Sequence, residues 1–313
     1  MIKDKVAAVK QAKFILQQRK YRAERLAEIN LEKALSNKTF KNNYDKLMNL
    51  TWEIGKAEYE KKDTKAIYSE YKKLEDSNKK VLMSINLKPG DLKPQYSCDK
   101  CKDSGIYKNG ECSCFKSLIS ELMLENSGIT SKTNFKNANM AIWDREVKEE
   151  NIVLYNKMKK YSEEIAKTKK KLITISGKTG VGKTYLAQCM VNESIEQGNY
   201  TIFISAFELN QQFLTYHCAN ISEKANILEP FLSCDFLVID DLGTENIFKN
   251  VTKEYLYLLL SERLANNRNT LITTNLTIDE IDKIYDGRIS SRITDKRNST
   301  TLLMNGSDLR LKK

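Results

Sequence analysis

Gly177-Lys178-Thr179-Gly180-Val181-Gly182-Lys183-Thr184 has the form G-x-x-x-x-G-K-T. The apolar run Lys171-Leu172-Ile173-Thr174-Ile175-Ser176 precedes it and reads as a buried strand. Tyr185-Leu186-Ala187-Gln188-Cys189-Met190-Val191 follows and reads as a helix. That strand–loop–helix context separates a phosphate-binding loop from an ordinary Gly-rich turn. Backbone N–H groups around Gly180 and Gly182 would wrap phosphates at a helix N-terminus. Lys183 would neutralise the β- and γ-phosphates, and Thr184 would ligate Mg²⁺. The loop predicts binding of ATP, or a close relative, through residues Gly177 to Thr184.

A second acidic strand completes this reading. Asp235-Phe236-Leu237-Val238-Ile239-Asp240-Asp241 is an apolar run ending in two carboxylates, some sixty residues after the loop. Asp240 would hold the Mg²⁺ through water, and Asp241 would orient or activate the attacking water. Many such ATPases carry Glu at the second place, and Asp is one methylene shorter. Glu245, four residues on, is therefore an alternative acid. Leu271-Ile272-Thr273-Thr274-Asn275 is another strand ending in a polar residue, and Asn275 would touch the γ-phosphate or the lytic water. In Gly287-Arg288-Ile289-Ser290-Ser291-Arg292-Ile293 two arginines four apart share a helix face. They read either as a surface pair or as the source of an arginine finger for a neighbouring subunit. Arg310 stands alone after the last strand.

Outward from the site, strand candidates at 172–176, 200–205, 235–240, 270–274 and 300–304 alternate with helices, notably 183–197 and 252–267. This implies an α/β domain over 129–313 with a five-stranded parallel sheet covered on both faces. Residues 1–85 hold one Gly and no Pro. Val6, Val9, Phe14, Leu16, Leu26 and Ile29 recur at roughly helical spacing, and two further helices follow, with breaks at Asn37 and Asp63-Thr64. The expected helical region is 1–90, with Leu87–Pro94 as a linker. A cysteine module over 91–128 comes next. Cys98-x-x-Cys101 and Cys112-x-Cys114 place four thiols within seventeen residues, around Gly105 and Gly110. Two cysteine pairs on facing turns suit tetrahedral Zn²⁺, and metal would hold together a segment with little core of its own. Cys189, Cys218 and Cys234 read as ordinary core residues.

Charge is uneven. Residues 1–97 hold 22 Lys/Arg against 13 Asp/Glu, a net of +9, whereas residues 98–313 hold 30 against 28. The basic third would suit an acidic protein face, nucleic acid or an anionic membrane, or be a solvated Lys-rich surface. No apolar run approaches the ~18 residues of a membrane span, and Met1–Lys5 lacks a signal-peptide core. The expectation is a soluble, cytoplasmic protein without a membrane partner.

These motifs together resemble one family, the DnaI/DnaC-type replicative helicase loaders of the AAA+ class, nearest to the DnaI form. Tyr96–Gly105 resembles its zinc segment, Val238–Glu245 its acidic strand, and Thr273-Thr274-Asn275-Leu276 its sensor 1. Arg288–Arg292 resembles the arginine-finger helix, with Arg292 at the finger, and Gly306–Arg310 resembles the sensor 2 end. The match covers 96–313 and is weak over 1–95. The resemblance implies an AAA+ core, with the chain's end leaving no room for a helical lid. It also implies a hexameric replicative helicase as partner of the N-terminal region, self-association through the ATPase domain, and single-stranded DNA near the paired helices of 206–231. An IstB-type transposition helper shares the ATPase core and is the alternative, as is an ATP-binding adaptor with little turnover.

Overall fold

The computed structural model describes residues 5–124, 129 and 132–312. The expected module boundary at residue 128 lies outside them. The described chain forms two compact units, residues 13–109 and residues 110–312, the second including the first turns of helix α1.

The helical unit contains α1 (Lys5–Leu35), α2 (Lys38–Tyr59) and α3 (Lys65–Ser84). The breaks fall where the sequence places them. The Asn37 side chain accepts from the N–H groups of Thr39 and Phe40, satisfying donors that a helix start leaves open, and Thr64 precedes α3. The face of α1 is not the one its large apolar residues suggest. Phe14, Leu26 and Ile29 are exposed, whereas Ala8, Ala12, Leu16, Ala27 and Ala34 are buried. Alanine lets a neighbouring backbone approach closely, so it marks the contact face that bulk alone misses. The proline segment is packed too. Pro89–Leu92 is a short 3₁₀ turn, Leu87 and Leu92 join Phe40 and Leu82 in a small core, and Asn30 donates to the Asp91 carbonyl at 3.0 Å.

The helical unit ends with the short strand β1 (Ile106–Tyr107), and the second unit resumes with β2 (Gly110–Glu111) and α4 (Ser113–Leu124). Helix α5 (Arg145–Glu163) comes before the main sheet. That sheet is formed by β3 (Leu172–Ser176), β4 (Thr201–Ser205), β5 (Phe236–Leu242), β6 (Asn269–Thr274) and β7 (Ser299–Leu303). Its order is β4-β5-β6-β3-β7 and every pairing is parallel. All six residues of β6 are buried. Successive strand residues point to opposite faces, so both faces are covered, as the alternating pattern predicts. Helices α6 (Lys183–Glu196), α7 (Ala206–Cys218), α9 (Thr252–Ala265) and α11 (Gly287–Thr294) pack against it. Helix α8 (Ile221–Ser233) pairs with α7, and α10 (Ile278–Tyr285) with α11.

One core side chain is a cation. Arg263 of α9 is fully buried and donates to the carbonyls of Phe231, Cys234 and Asn269 and to the Thr270 hydroxyl. Its guanidinium thus satisfies the orphan carbonyls at the end of α8 and ties them to β6. Cys189 and Cys234 are buried as expected; Cys218, at the end of α7, is exposed.

Candidate nucleotide site

The loop from Gly177 to Thr184 joins β3 to α6 at the carboxyl edge of the sheet. Gly180 sits at φ +81°, and a Cβ there would meet the Asp308 carboxylate at 2.0 Å, so any other residue would be strained and would have to displace Asp308. Val181 is buried in the core, and Lys178 and Thr179 are exposed. Lys183 is buried. Its ammonium donates to the carbonyls of Gly177 (2.8 Å) and Lys178 (2.9 Å) and to Asn275 Oδ1 (2.6 Å). Burial pushes its pKa down, opposed by Asp241 and Asp240.

Asp240 lies behind the loop. It accepts from the Thr184 hydroxyl at 3.0 Å and from the Thr273 hydroxyl at 2.5 Å. Thr184 and Asp240 are thus adjacent, the pair that could hold Mg²⁺. Burial raises the Asp240 pKa, and the two hydroxyls oppose that rise.

The strand breaks register here. Ile239 pairs with Ile272 and Leu242 with Thr274, leaving Asp240 and Asp241 opposite Thr273 alone. The extra residue makes a bulge, a device that re-aims a side chain. Asp241 takes φ +56°, a conformation Asp tolerates better than most residues, and its carboxylate lines the cavity beside Lys183. Its N–H donates to the Thr273 hydroxyl at 2.9 Å. One hydroxyl therefore locks both acids, a role the sequence reading passes over because Thr273 looks like any sheet residue. Replacing Thr273 with Val keeps the shape and removes both bonds, each worth about 1–3 kcal/mol when buried. The expected result is a roughly 10- to 100-fold lower kcat with ATP affinity little changed. Steady-state hydrolysis and nucleotide titration check this; an unchanged kcat refutes it.

A cavity of about 570 Å³ brings together Thr179, Gly180, Gly182, Lys183, Thr184, Asp241, Asn275 and Arg310. Arg310 is exposed and held by Asp308 at 2.8 Å, and that pairing raises its pKa. The segment carrying it is strapped to the loop, since Leu309 N–H donates to the Gly180 carbonyl at 2.9 Å. The far wall is apolar, built from Ala138, Ile142, Trp143, Tyr155, Tyr185 and Leu309. Trp143 meets Tyr155 edge-on at 4.9 Å. A planar base fits such a wall. No motif in the sequence marks this wall.

Two residues lie elsewhere. Glu245 does not line the cavity. It accepts from the buried Tyr285 hydroxyl (2.5 Å) and from Gly243 N–H (3.0 Å). Arg292 donates to the Tyr257 hydroxyl at 3.2 Å and stacks over that ring, as Arg288 also does. Arg288 is further tied to Glu254 and Asp286. Of the aromatics in 206–231, Phe213 is core and Tyr216 packs on Tyr255, whereas Phe207 is exposed.

The sulfur atoms of Cys98, Cys101, Cys112 and Cys114 lie within 4.8 Å of one another. Tetrahedral Zn–S bonds of ~2.3 Å place sulfurs about 3.8 Å apart, so this donor set could hold zinc. Asp103, a residue the sequence reading does not single out, is buried and accepts from the N–H groups of Ser97 and Cys98 at 2.8 and 2.9 Å. It shapes the first knuckle from behind.

Residues 160–313 match the family described as IstB-like ATP binding protein. This part, just under half of the chain, is thus similar to an IstB-like ATP-binding domain. The sheet order and the loop give it a P-loop ATPase fold. The replicative helicase loader DnaC of Escherichia coli strain K12 is 28% identical over 119 residues, 38% of this chain and 48% of that one. The insertion sequence IS232 putative ATP-binding protein of Bacillus thuringiensis subsp. berliner is 27% identical over 143 residues, 45% of this chain and 56% of that one. The chain thus spans about half the length of the curated relatives it matches. A crystal structure of DnaI superposes with a TM-score of 0.42 at 21% identity, covering 55% of this chain and 90% of that one. Among the described residues no helix is long and apolar enough to cross a membrane.

Proposed function

We propose that the chain is an ATP-dependent loader of the hexameric replicative DNA helicase. The ATPase domain would bind ATP and single-stranded DNA. Residues 1–90 and the cysteine module would grip the helicase. The observation that carries this reading is the four-cysteine cluster, which in sequence follows a basic helical stretch and precedes an ATPase core similar to DnaC. The helical unit exposes Tyr21, Trp52 and Tyr59, and exposed aromatics amid positive charge suit a partner of acidic and apolar character.

Within the ATPase site, Lys183 and Arg310 would hold phosphates while Asn275 and Asp241 address the attacking water. Mg²⁺, when bound by Thr184 and Asp240, supplies charge neutralisation to the phosphates. Asp241 is the better candidate for the catalytic acid, because Glu245 spends its carboxylate on Tyr285 and Gly243. Arg292 does not line its own cavity, which favours action in a neighbouring subunit after self-association.

Zinc in the cysteine cluster is testable by itself. Purified protein should carry one zinc per chain by elemental analysis. Cys101→Ser should release it and open the 98–114 segment to protease. Metal-free protein with full protease resistance there would refute the assignment.

The alternative, an IstB-like transposition helper, is favoured by the family match and by the insertion-sequence relative. The two readings separate on partners: a loader binds replicative helicase, a helper binds a transposase and does not.

A further inference from the structure

A second cavity, of about 320 Å³, lies away from the nucleotide. Lys157, Lys160, Lys167 and Lys170 line it, together with one acid, Glu164, over a floor that includes Met158, Tyr161 and Ile173. It opens near the amino ends of β3 and β7, the edge of the sheet opposite the phosphate loop, and β3 alone separates the two by roughly 15 Å.

The charge here is concentrated. Residues 157–171 contain seven lysines and two glutamates, and Lys296, Arg297 and Asp295 adjoin them through the contacts of Lys170. The patch is net +6 within a region, 98–313, that is only +2 overall. Some of this has a local cause. Lys159 pairs with Glu163 and Arg297 with Asp295, and Lys160 ends α5, where the helix dipole favours a cation. Among the described residues, Lys157, Lys160, Lys167 and Lys169 have no ion-pair partner. Like charges gathered this closely repel one another, and Glu164, the one acid lining the cavity, offsets only part of that.

The frame beneath them is rigid. Tyr161 donates to the Lys170 carbonyl at 3.1 Å, and Thr168 donates to Asn269 Oδ1 at 2.9 Å. Asn269 donates back to the Ile165 carbonyl at 3.1 Å, and Lys170 is itself anchored on the carbonyls of Lys296 and Arg297. The free ammonium groups are thus presented from a fixed backbone rather than from a loose tail.

We propose that this cavity binds the phosphodiester backbone of a nucleic acid, as a contact separate from any made by the α7–α8 helices. Unpaired lysines around a concavity suit phosphates, which need point charges rather than shape. No large apolar side chain within 157–171 is exposed to enter a membrane.

The test uses the full chain and fluorescein-labelled 20-nucleotide oligo(dT) and a 20-base-pair duplex, with anisotropy read over a salt series. The triple variant Lys157→Gln/Lys160→Gln/Lys167→Gln removes three phosphate contacts. The salt slope should fall by about 2 for the single strand or about 3 for the duplex, and affinity at low salt at least about tenfold. Whichever DNA shows the larger loss is the form bound. A control triple, Lys41→Gln/Lys46→Gln/Lys56→Gln in α2, should keep both quantities. ATP affinity and melting temperature of the first variant should match wild type, showing that it folds. Wild-type affinity and slope in the cavity variant overturn the proposal. So does an equal loss in the control, which would reduce the effect to bulk charge. Helicase binding is not part of this readout, so the loader reading can fail while this one stands.

Discussion

Lys183→Ala removes ATP binding. The ammonium is the only side-chain cation buried in the phosphate loop, and it stands between two loop carbonyls and Asn275. A bound polyphosphate would receive the charge now shared among those acceptors. Hydrogen bonds to charged groups contribute about 1.5–3 kcal/mol each, and here one cation faces two phosphates. The expected loss is about 100-fold or more in ATP affinity. Equilibrium binding of a fluorescent ATP analogue measures it. The loop should stay folded, since Val181 remains in the core and Leu309 still bonds Gly180. A melting temperature near wild type with unchanged ATP affinity would refute the site.

Asp241→Asn should leave binding intact and nearly stop hydrolysis. Asparagine tolerates the left-handed backbone of the bulge as aspartate does, and the N–H bond to Thr273 is kept. Only the charge is lost. Acid–base groups of this kind contribute about 10²- to 10⁴-fold, so kcat should fall by about 100-fold or more. Glu245→Gln tests the rival directly. It weakens the tie to Tyr285, so a stability change with hydrolysis largely kept is expected. If Glu245→Gln stops hydrolysis while Asp241→Asn does not, the catalytic acid is the other one. Phosphate-release assays at saturating ATP, with a melting curve for each variant, distinguish the cases.

How far the sequence reaches can be seen residue by residue. The five strands lie within about two residues of their expected ends, because each is a short run rich in apolar and β-branched residues. The phosphate loop and the two acids are legible for the same reason: local spacing carries them. What escapes is tertiary. Thr273 becomes informative only when β6 lies beside the bulge in β5. Asp308 matters because the last segment crosses Gly180. Trp143 and Tyr155 form a wall only once α5 packs beside the loop. Glu245 reads as a free acid until Tyr285 reaches it from α10. In α1 the failure is of a different kind, since a hydrophobicity pattern weights Phe14 and Leu26 over the alanines that are actually buried.

Partner choice distinguishes a helicase loader from its alternatives. The most direct measurement is co-purification of the tagged full-length chain with the replicative helicase of its host, by affinity capture and gel filtration over a salt series. A loader should form a stable complex without ATP, one that Lys183→Ala also forms and that weakens as salt rises and screens the basic helical unit. Helicase that elutes apart from the chain at every salt concentration, while the same preparation binds ATP, would contradict it.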